Sequence, residues 1–312
     1  MNSWNYEIDV LMATWNGSPF LEEQLSSLFC QTFENFRLLL RDDGSTDSTL
    51  QIVEQYRSQY PDRVFLRNNL ARQGACRTFS LLAEESTAPY VAFCDQDDIW
   101  RSDKLALSMS AMKAIEAQHG IQMPVLVFSD MAIVDEDRKL MAPSLWKQAH
   151  VNPARASFGA MLVQNLVAGC TTLANRSLLL KAMPVPETAS MHDSWLGLVA
   201  AAFGICHPIH ETTVQYRQHR GNAIGAGRGW RLGNIFRLRY DRQFDERIAA
   251  SRRQSKAFAS RYGHLLTHRQ KDVLQAWSSS QVLPPFVRQW NLHRSGLRGT
   301  TLLNHLAFLV RV

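Results

Sequence analysis

The run Asp95-Gln96-Asp97-Asp98 places three carboxylates within four residues, directly after the apolar segment Tyr90–Cys94. Acids this close repel one another unless a cation lies between them, and Mg²⁺ and Mn²⁺ prefer oxygen ligands of this kind. A divalent ion held here could bridge the protein to a diphosphate and offset its charge. The alternative is an acidic turn or a helix cap, which any isolated run of this type allows.

The segments around this run alternate between strand and helix patterns. The predicted strands are Glu7–Ala13, Phe36–Arg41, Val64–Arg67 and Tyr90–Cys94, and the predicted helices are Pro19–Cys30, Asp47–Gln59 and Thr78–Glu85. Strands and helices that alternate over short connections predict an α/β fold with a doubly wound, mostly parallel sheet. In such a sheet, ligands bind at the carboxyl ends of the strands.

Polar residues follow two further predicted strands in the same way. Thr14-Trp15-Asn16-Gly17 comes after the first strand, and a second cluster begins with Asp42 and Asp43 after the second strand. Either aspartate could accept a hydrogen bond from a base N–H or a ribose hydroxyl. Taken alone, the second cluster also fits an Asp-Gly turn before a capped helix. Neither cluster has the pattern of a glycine-rich phosphate loop.

The composition predicts a folded protein with reduced thiols. The chain has 312 residues, of which 46% are hydrophobic, and this is enough for a large core. The five cysteines are scattered and never spaced as CxxC, which favours a cytosolic setting over disulfides or a zinc cluster. We see no signal-peptide pattern and no apolar window of about 20 residues, so we expect a cytoplasmic or peripheral protein.

The net charge of +6 is divided unevenly along the chain. Residues 217–312 hold 18 Lys/Arg against 4 Asp/Glu, whereas residues 1–216 hold 16 against 24. Within the basic part, Gly229–Gln254 has apolar residues on one helical stripe among arginines, a pattern that could lie on an anionic membrane. The alternatives are a helix packed on its own catalytic domain and a surface that binds nucleic acid.

The ordered set of motifs resembles the family 2 glycosyltransferases of the GT-A fold. The set comprises LMATWNG, RDDGSTDST and FCDQDDIW with Lys104 following. Further along, VFSDMAIVD, LVAGCTTLA, HDSW and YRQH are similar to the acceptor half of the bacterial rhamnosyltransferase-like branch. The resemblance covers residues from about 7 to 225.

This resemblance implies a division of the chain. A GT-A domain, Rossmann-like and doubly wound, would occupy residues 1–225. Its nucleotide-sugar-binding half would span about 1–120 and its acceptor half about 121–225. A basic, mainly helical C-terminal extension would follow at 226–312.

The resemblance also implies roles for individual residues on the donor side. Backbone groups of Ala13 and Thr14 would contact the base, with Asn16 nearby. Asp42 and Asp43 would hold the base and the ribose.

At the diphosphate, Asp95 would contact the ribose or a metal-bound water, with Gln96 beside it, and Asp97 would ligate Mn²⁺ or Mg²⁺. His219 of the YRQH motif would join the metal, because a neutral imidazole suits Mn²⁺ better than Mg²⁺. The usual HGNN of the family reads His219-Arg220-Gly221-Asn222 here, so Arg220 is an added cation, and it would bind the donor phosphates or a lipid diphosphate of the acceptor.

An inverting transfer also needs a base. The acceptor hydroxyl attacks the anomeric carbon opposite the leaving diphosphate, so a carboxylate on that side must take the proton. Asp193 occupies the position of the family's base, just before the apolar helix predicted at Trp195–Phe203. An aspartate near a helix start can instead serve as a cap.

The function implied is a metal-dependent inverting glycosyltransferase that moves L-rhamnose from dTDP-rhamnose to a cell-surface polysaccharide or lipid-linked glycan, at the inner face of the plasma membrane. Three alternatives remain. A UDP-sugar donor would use the same fold. A sugar-nucleotide nucleotidyltransferase should carry a cationic, glycine-rich loop after the first strand. A nucleic-acid-binding protein would leave the acidic strand ends unexplained, and we expect no nucleic-acid partner.

Overall fold

The computed structural model of the protein describes residues 6–68, 71–219 and 242–279. Its strands are β1 (Ile8–Thr14), β2 (Phe36–Asp42), β3 (Val64–Asn68), β4 (Tyr90–Cys94), β5 (Ile99–Trp100), β6 (Val125–Val134), β7 (Leu140–Ala142), β8 (Thr172–Asn175) and β9 (Ile205–Arg217). Its α-helices are α1 (Leu21–Phe29), α2 (Thr49–Gln59), α3 (Ala75–Glu85), α4 (Lys104–His119), α5 (Leu145–Gln148), α6 (Phe158–Val163), α7 (Arg176–Ala182), α8 (His192–Phe203), α9 (Arg242–Tyr262) and α10 (His268–Ser279).

The nine strands form one sheet whose main order is β3-β2-β1-β4-β8-β6-β9-β5. The first four of these neighbours are parallel. Beyond them, β8 runs antiparallel to both β4 and β6, and β9 runs parallel to β6. The short strands β5 and β7 pair antiparallel with β9 and β6, respectively. The predicted α/β class with a doubly wound sheet is confirmed.

The four strands and three helices predicted before residue 95 are all present, with small differences at their ends, and the helix predicted at Trp195–Phe203 is α8, which begins three residues earlier at His192. Before residue 95, the largest difference is at α3, which begins at Ala75 and not at the predicted Thr78. Gly74 precedes it with φ of +79°, a backbone conformation that favours glycine and sets the chain direction into the helix.

Both faces of the central strands are covered, which explains their continuous apolar sequences. Along β4, Val91 and Phe93 pack in the layer that holds α3, α6 and α8, while Ala92 and Cys94 pack in the layer of α1 and α4. All five residues of β4 are buried. The strand is therefore a rigid support for the acidic run that follows it.

The last two helices among the described residues, α9 and α10, belong to the same core as the sheet. Phe258, Tyr262 and Trp277 are buried, and the ring of Phe258 lies 5.8 Å from that of Trp195 on α8. Of the predicted amphipathic segment Gly229–Gln254, only the part from Arg242 onward is described, and this part begins a helix packed on the protein. The predicted boundary at residue 225 falls outside the described residues and stays a prediction.

Two further sequence predictions concern thiols and membranes. All five cysteines are free, as predicted. Within residues 6–68, 71–219 and 242–279, none of the helices combines the length and the apolar character that a membrane crossing requires.

Candidate active site

The loops that follow β1, β2 and β4 meet at one edge of the sheet. Thr14 at the end of β1 pairs with Asp42 at the end of β2, and Met12 pairs with Cys94 at the end of β4. The predicted base-contacting residues Ala13 and Thr14 are thus the last two residues of the strand between the two acidic loops. The three polar clusters singled out in the sequence lie side by side.

The side chain of Asp42 stabilises the loop that follows β2. It is 2% exposed, and its Oδ1 accepts hydrogen bonds from the hydroxyls of Thr14 (2.9 Å) and Ser45 (2.6 Å). Its Oδ2 accepts from the backbone N–H of Gly44 (3.0 Å) and Ser45 (2.8 Å). A carboxylate has about four acceptor positions, so all of them are engaged by the protein. A direct contact of Asp42 with base or ribose stays a prediction, and it would require one of these bonds to open.

Asp43 connects the same edge to the loop before α3. Its two oxygens accept from the backbone N–H of Gln73 (2.6 Å) and Gly74 (2.7 Å). Beside Gln73, the guanidinium of Arg72 lies 3.5 Å from the ring centroid of Trp15, and that ring is 40% exposed. A flat ring and a guanidinium at the mouth of the site can both stack on a nucleotide base. The Arg72–Trp15 pair was not among the predicted site residues, and a large aromatic within a Thr-x-Asn-Gly loop was the signal available for it.

Asn16 and Gln96 join neighbouring loops. The backbone N–H of Thr46 donates to Asn16 Oδ1 (2.8 Å). Gln96 Oε1 accepts from the N–H of Trp15 (2.9 Å), and Gln96 Nε2 donates to the Trp15 carbonyl (3.1 Å). A Cβ at Gly17 would lie 2.3 Å from Gln96 Oε1, so the clamp requires glycine there. Both side chains therefore hold the loops together, and their predicted donor contacts stay predictions.

Asp97 and His219 lie together although 122 residues separate them. Asp97 Oδ2 and His219 Nε2 are 2.7 Å apart, and both side chains are partly exposed, at 13% and 12%. The His219 ring packs on Phe20, with 4.6 Å between ring centroids. The structure thus brings together the two residues predicted to share a metal. Arg220, the predicted phosphate contact, lies outside the described residues.

Arg217, at the end of β9, holds the loop that carries Asp97 and Asp98. Its Nε donates to the Asp97 carbonyl (3.0 Å), its backbone N–H donates to Asp98 Oδ1 (3.2 Å), and its guanidinium forms an ion pair with Glu23. Arg217 is only 2% exposed. This cation ties the end of β9 to the acidic loop, so it fixes where Asp97 and His219 meet. It was not a predicted site residue, although it stands within the YRQH motif.

Asp95, Asp98 and Cys170 form a cluster whose potential ligand atoms all lie within 4.8 Å of one another, with Asp98 and Cys170 buried and Asp95 half-buried. Burial, followed by the charges of Asp97 and Asp193, raises the pKa of Asp95 above its usual range. Burial, followed by the charges of Asp95 and Asp97, also raises the pKa of Asp98, well above its usual value. Carboxyls that disfavour one another's ionised form in this way are relieved by a positive ion. The potential metal ligands at this edge are carboxylate oxygens and the imidazole of His219, which lies beside Asp97. Such a set of ligand atoms fits a divalent cation such as Mn²⁺.

Lys104 supplies an internal positive charge next to this cluster. It is fully buried, and its Nζ lies 3.9 Å from the ring centroid of Trp100. Burial lowers the pKa of Lys104 to about 8, while the nearby Cys170, Cys94 and Asp98 act in the opposite direction. These neighbouring groups therefore favour the charged form of the buried Lys104.

We expect Lys104→Met to lower the free energy of unfolding by about 3 kcal/mol, because it leaves Asp98 buried without this cation. Urea denaturation measures the effect, and adding Asp98→Asn should restore part of the loss. The matched control is Lys113→Met, since Lys113 makes an exposed 3.3 Å ion pair with Glu7 and should cost less than about 1 kcal/mol. Equal losses for the two lysine variants would contradict the assignment.

Asp193 lies in the first turn of α8 and faces the same edge. Its Oδ2 accepts from the N–H of Gly169 (2.9 Å) and its Oδ1 from the N–H of Ser194 (2.6 Å). Gly169 begins a 3₁₀ turn just before β8, and antiparallel pairing of β8 with β4 places that turn at the carboxyl end of β4. Asp193 is consequently close enough to Asp95 for its charge to raise the pKa of that residue.

The environment of Asp193 suits a proton acceptor. Burial raises the pKa of Asp193 to about 6, and the N–H bonds from Gly169 and Ser194 limit that rise. Next to it, the ring of His192 packs against the rings of Phe79 and Phe93, at centroid distances of 4.2 and 4.9 Å. Burial lowers the pKa of His192 to about 3, so this ring is neutral. A carboxylate with a pKa near the working pH, on an apolar support, can serve as a general base.

Comparison with known proteins indicates the family to which the chain is similar. The family model described as "Glycosyl transferase family 2" matches residues 9–160. The dTDP-rhamnosyl transferase RfbG of Shigella flexneri is 26% identical over 227 residues, which are 69% of this chain and 74% of RfbG.

Two solved structures share the fold. S. aureus TarS 1-349 in complex with UDP-GlcNAc has a TM-score of 0.55 at 17% identity, covering 93% of this chain and 87% of TarS 1-349. The mannosyltransferase PcManGT from Pyrobaculum calidifontis, in complex with GDP-Man and Mn²⁺, has a TM-score of 0.51 at 14% identity, covering 95% of this chain and 87% of that one. At these identities the likeness concerns the fold alone.

Proposed function

Because this chain belongs to glycosyltransferase family 2 and has the GT-A fold, we propose that it moves a sugar, with inversion, from a nucleoside diphosphate donor to a glycan hydroxyl. The observation that carries the proposal is the position of Asp193 beside the acidic edge that contains Asp95 and the Asp97–His219 pair. A proton acceptor and a diphosphate site next to each other are what such a transfer needs.

The donor nucleotide would lie across the ends of β1 and β2. Ala13, Thr14 and Asn16 would border the base, and Asp42 and Asp43 would lie at base and ribose. The exposed ring of Trp15 and the guanidinium of Arg72 support this placement, because a planar base can stack there.

A divalent cation would be held by Asp97 and His219, with Asp95 next to them. Bound Mn²⁺ or Mg²⁺ would supply positive charge that offsets the donor diphosphate. The imidazole nitrogen of His219 favours Mn²⁺ over Mg²⁺. Arg220 would add a further contact with phosphate.

The chain's own residues account for the proton and for the direction of attack. The acceptor oxygen forms a bond to the anomeric carbon as the bond from that carbon to the diphosphate breaks, and the configuration inverts. The proton of the acceptor hydroxyl passes to Asp193, and the nucleoside diphosphate leaves with its electron pair. The buried rings of Phe79 and Phe93, which pack against the neutral ring of His192, support this side of the site and keep the dielectric low around the base.

For the substrates, we propose L-rhamnose from dTDP-rhamnose as donor and a cell-surface polysaccharide or lipid-linked glycan as acceptor. The similarity to a dTDP-rhamnosyl transferase over 69% of the chain supports the donor. The excess of Lys/Arg in residues 217–312 supports a peripheral contact with the inner face of the plasma membrane, where such an acceptor would be anchored.

A thermal-shift screen of dTDP, UDP and GDP, each with and without Mn²⁺, tests the donor. A ligand that binds only the folded protein stabilises it by about 2.7 kcal/mol at 100 times its Kd, so the best nucleotide gives the largest rise in Tm. We expect dTDP with Mn²⁺ to give that rise. A larger rise with UDP would move the assignment to a UDP-sugar donor, and no rise with any nucleotide would overturn it.

A further inference from the structure

The side-chain amide of Gln254, on α9, contacts two serines on either side of Asp193. Gln254 Oε1 accepts hydrogen bonds from the backbone N–H and the hydroxyl of Ser190, both at 3.0 Å. Gln254 Nε2 donates to the hydroxyl of Ser194, also at 3.0 Å. Gln254 is 2% exposed and Ser194 4% exposed, so these bonds are shielded from water. Buried polar bonds of this kind hold a geometry more firmly than exposed ones.

The segment that Gln254 contacts begins a helix whose N-cap residue does not cap it. Met191 is the N-cap residue of α8, and its side chain makes no capping hydrogen bond. The first turn of a helix has free N–H groups that a capping side chain would normally satisfy. Here Asp193 is held on one side by the N–H of Gly169. Gln254 holds the serines around Asp193 on the other side.

We infer that Gln254 is a positioning residue for the proposed base Asp193, an inference that rests on the proposed function. It fixes residues 190–194, so the carboxylate of Asp193 stays directed toward the acidic edge. A shift of about 1 Å in a catalytic group can cost about a hundredfold in rate. The inference assigns α9, which lies beyond the matched residues 9–160, to the catalytic machinery.

A second glutamine provides a matched comparison within the same C-terminal helices. Gln270 Nε2 on α10 donates to the carbonyl of Ala202 (2.8 Å), near the other end of α8. Ala202 lies nine residues after Asp193, which is about 14 Å along a helix. Gln254 and Gln270 thus hold the same helix from the same region, but Gln270 acts far from the base. A merely structural role would affect both variants alike.

The test compares Gln254→Met with Gln270→Met in the full chain. The assay follows nucleoside diphosphate release from dTDP-rhamnose, UDP-GlcNAc and GDP-mannose, and it uses whichever the wild-type protein hydrolyses fastest. We expect Gln254→Met to lower kcat about 30-fold with KM for the sugar nucleotide changed less than about twofold. The acidic limb of its kcat profile should move to lower pH, because a loosened, more hydrated Asp193 loses the effect of burial. Gln270→Met should keep both kcat and the limb.

Ser194→Ala provides a second measurement if Gln254→Met does not fold. It removes a single bond, so we expect a smaller loss of kcat, about fivefold, and little further loss when it is combined with Gln254→Met. Equal kcat for Gln254→Met and Gln270→Met, with the acidic limb unmoved, would overturn the inference. Normal turnover of Asp193→Asn would instead overturn the base assignment itself, so the two failures are distinguishable.

Discussion

Asp193→Asn should lower kcat about 1,000-fold while changing the affinity for the donor nucleotide less than about twofold. A positioned general base contributes about 10² to 10⁴ in rate, and asparagine cannot accept the proton. The substitution keeps the size of the side chain and one oxygen, which can still accept from one of the two N–H groups that now bind Asp193. Steady-state kinetics with the preferred sugar nucleotide, together with calorimetric titration of its nucleoside diphosphate, measures the two effects separately.

The pH profile gives this prediction a second readout. Because burial raises the pKa of Asp193 to about 6, the base gains its proton and kcat should fall as the pH drops below about 6. Asp103→Asn is the control, since Asp103 also lies at the start of a helix, as the N-cap residue of α4, but pairs with Arg101 at the surface. Normal turnover in Asp193→Asn, or an acidic limb near pH 4, would place the base elsewhere.

Asp97→Asn should weaken the Mn²⁺-dependent part of nucleotide binding about 100-fold. Asparagine removes the negative charge that a divalent ion requires and leaves His219 with a neutral neighbour. We expect His219→Gln to have a smaller effect, about tenfold, because the carboxylate remains. Calorimetric titration of the nucleoside diphosphate with and without Mn²⁺ measures the difference.

Asp135→Asn is the matched control for this second prediction. Asp135 lies in the turn between β6 and β7, where its Oδ1 accepts from the N–H of Lys139 (2.8 Å). We expect this variant to bind nucleotide as the wild-type protein does, in the presence and absence of Mn²⁺. If Asp97→Asn retained full Mn²⁺-dependent binding, the cation would have to lie against other residues.

The strands β1 to β4 could be predicted because each is a short apolar run followed by polar residues. The register between β1, β2 and β4 then follows from the parallel pairing of neighbours, so the meeting of Thr14, Asp42 and the Asp95 run was predictable as well. The start of α3 was missed because the conformation of Gly74 determines it, and apolar spacing does not register a positive φ.

The remainder of the site depends on contacts between residues distant in sequence. His219 could be paired with Asp97 only through a resemblance, since no local pattern connects them. Arg217 appeared to be one more basic residue until its bonds to Asp97 and Asp98 were visible. Gln254 could not be found from spacing, because an uncharged side chain in a basic region gives no signal of partners 60 and 64 residues away.

The order of these contacts along the chain has a consequence for the protein during its synthesis on the ribosome. The acidic loop at residues 95–98 is made early, but the Arg217 and His219 groups that fix it emerge more than a hundred residues later. A nascent chain can therefore form its first parallel strands before the acidic edge is complete. We expect this edge to be complete only after β9 has been translated.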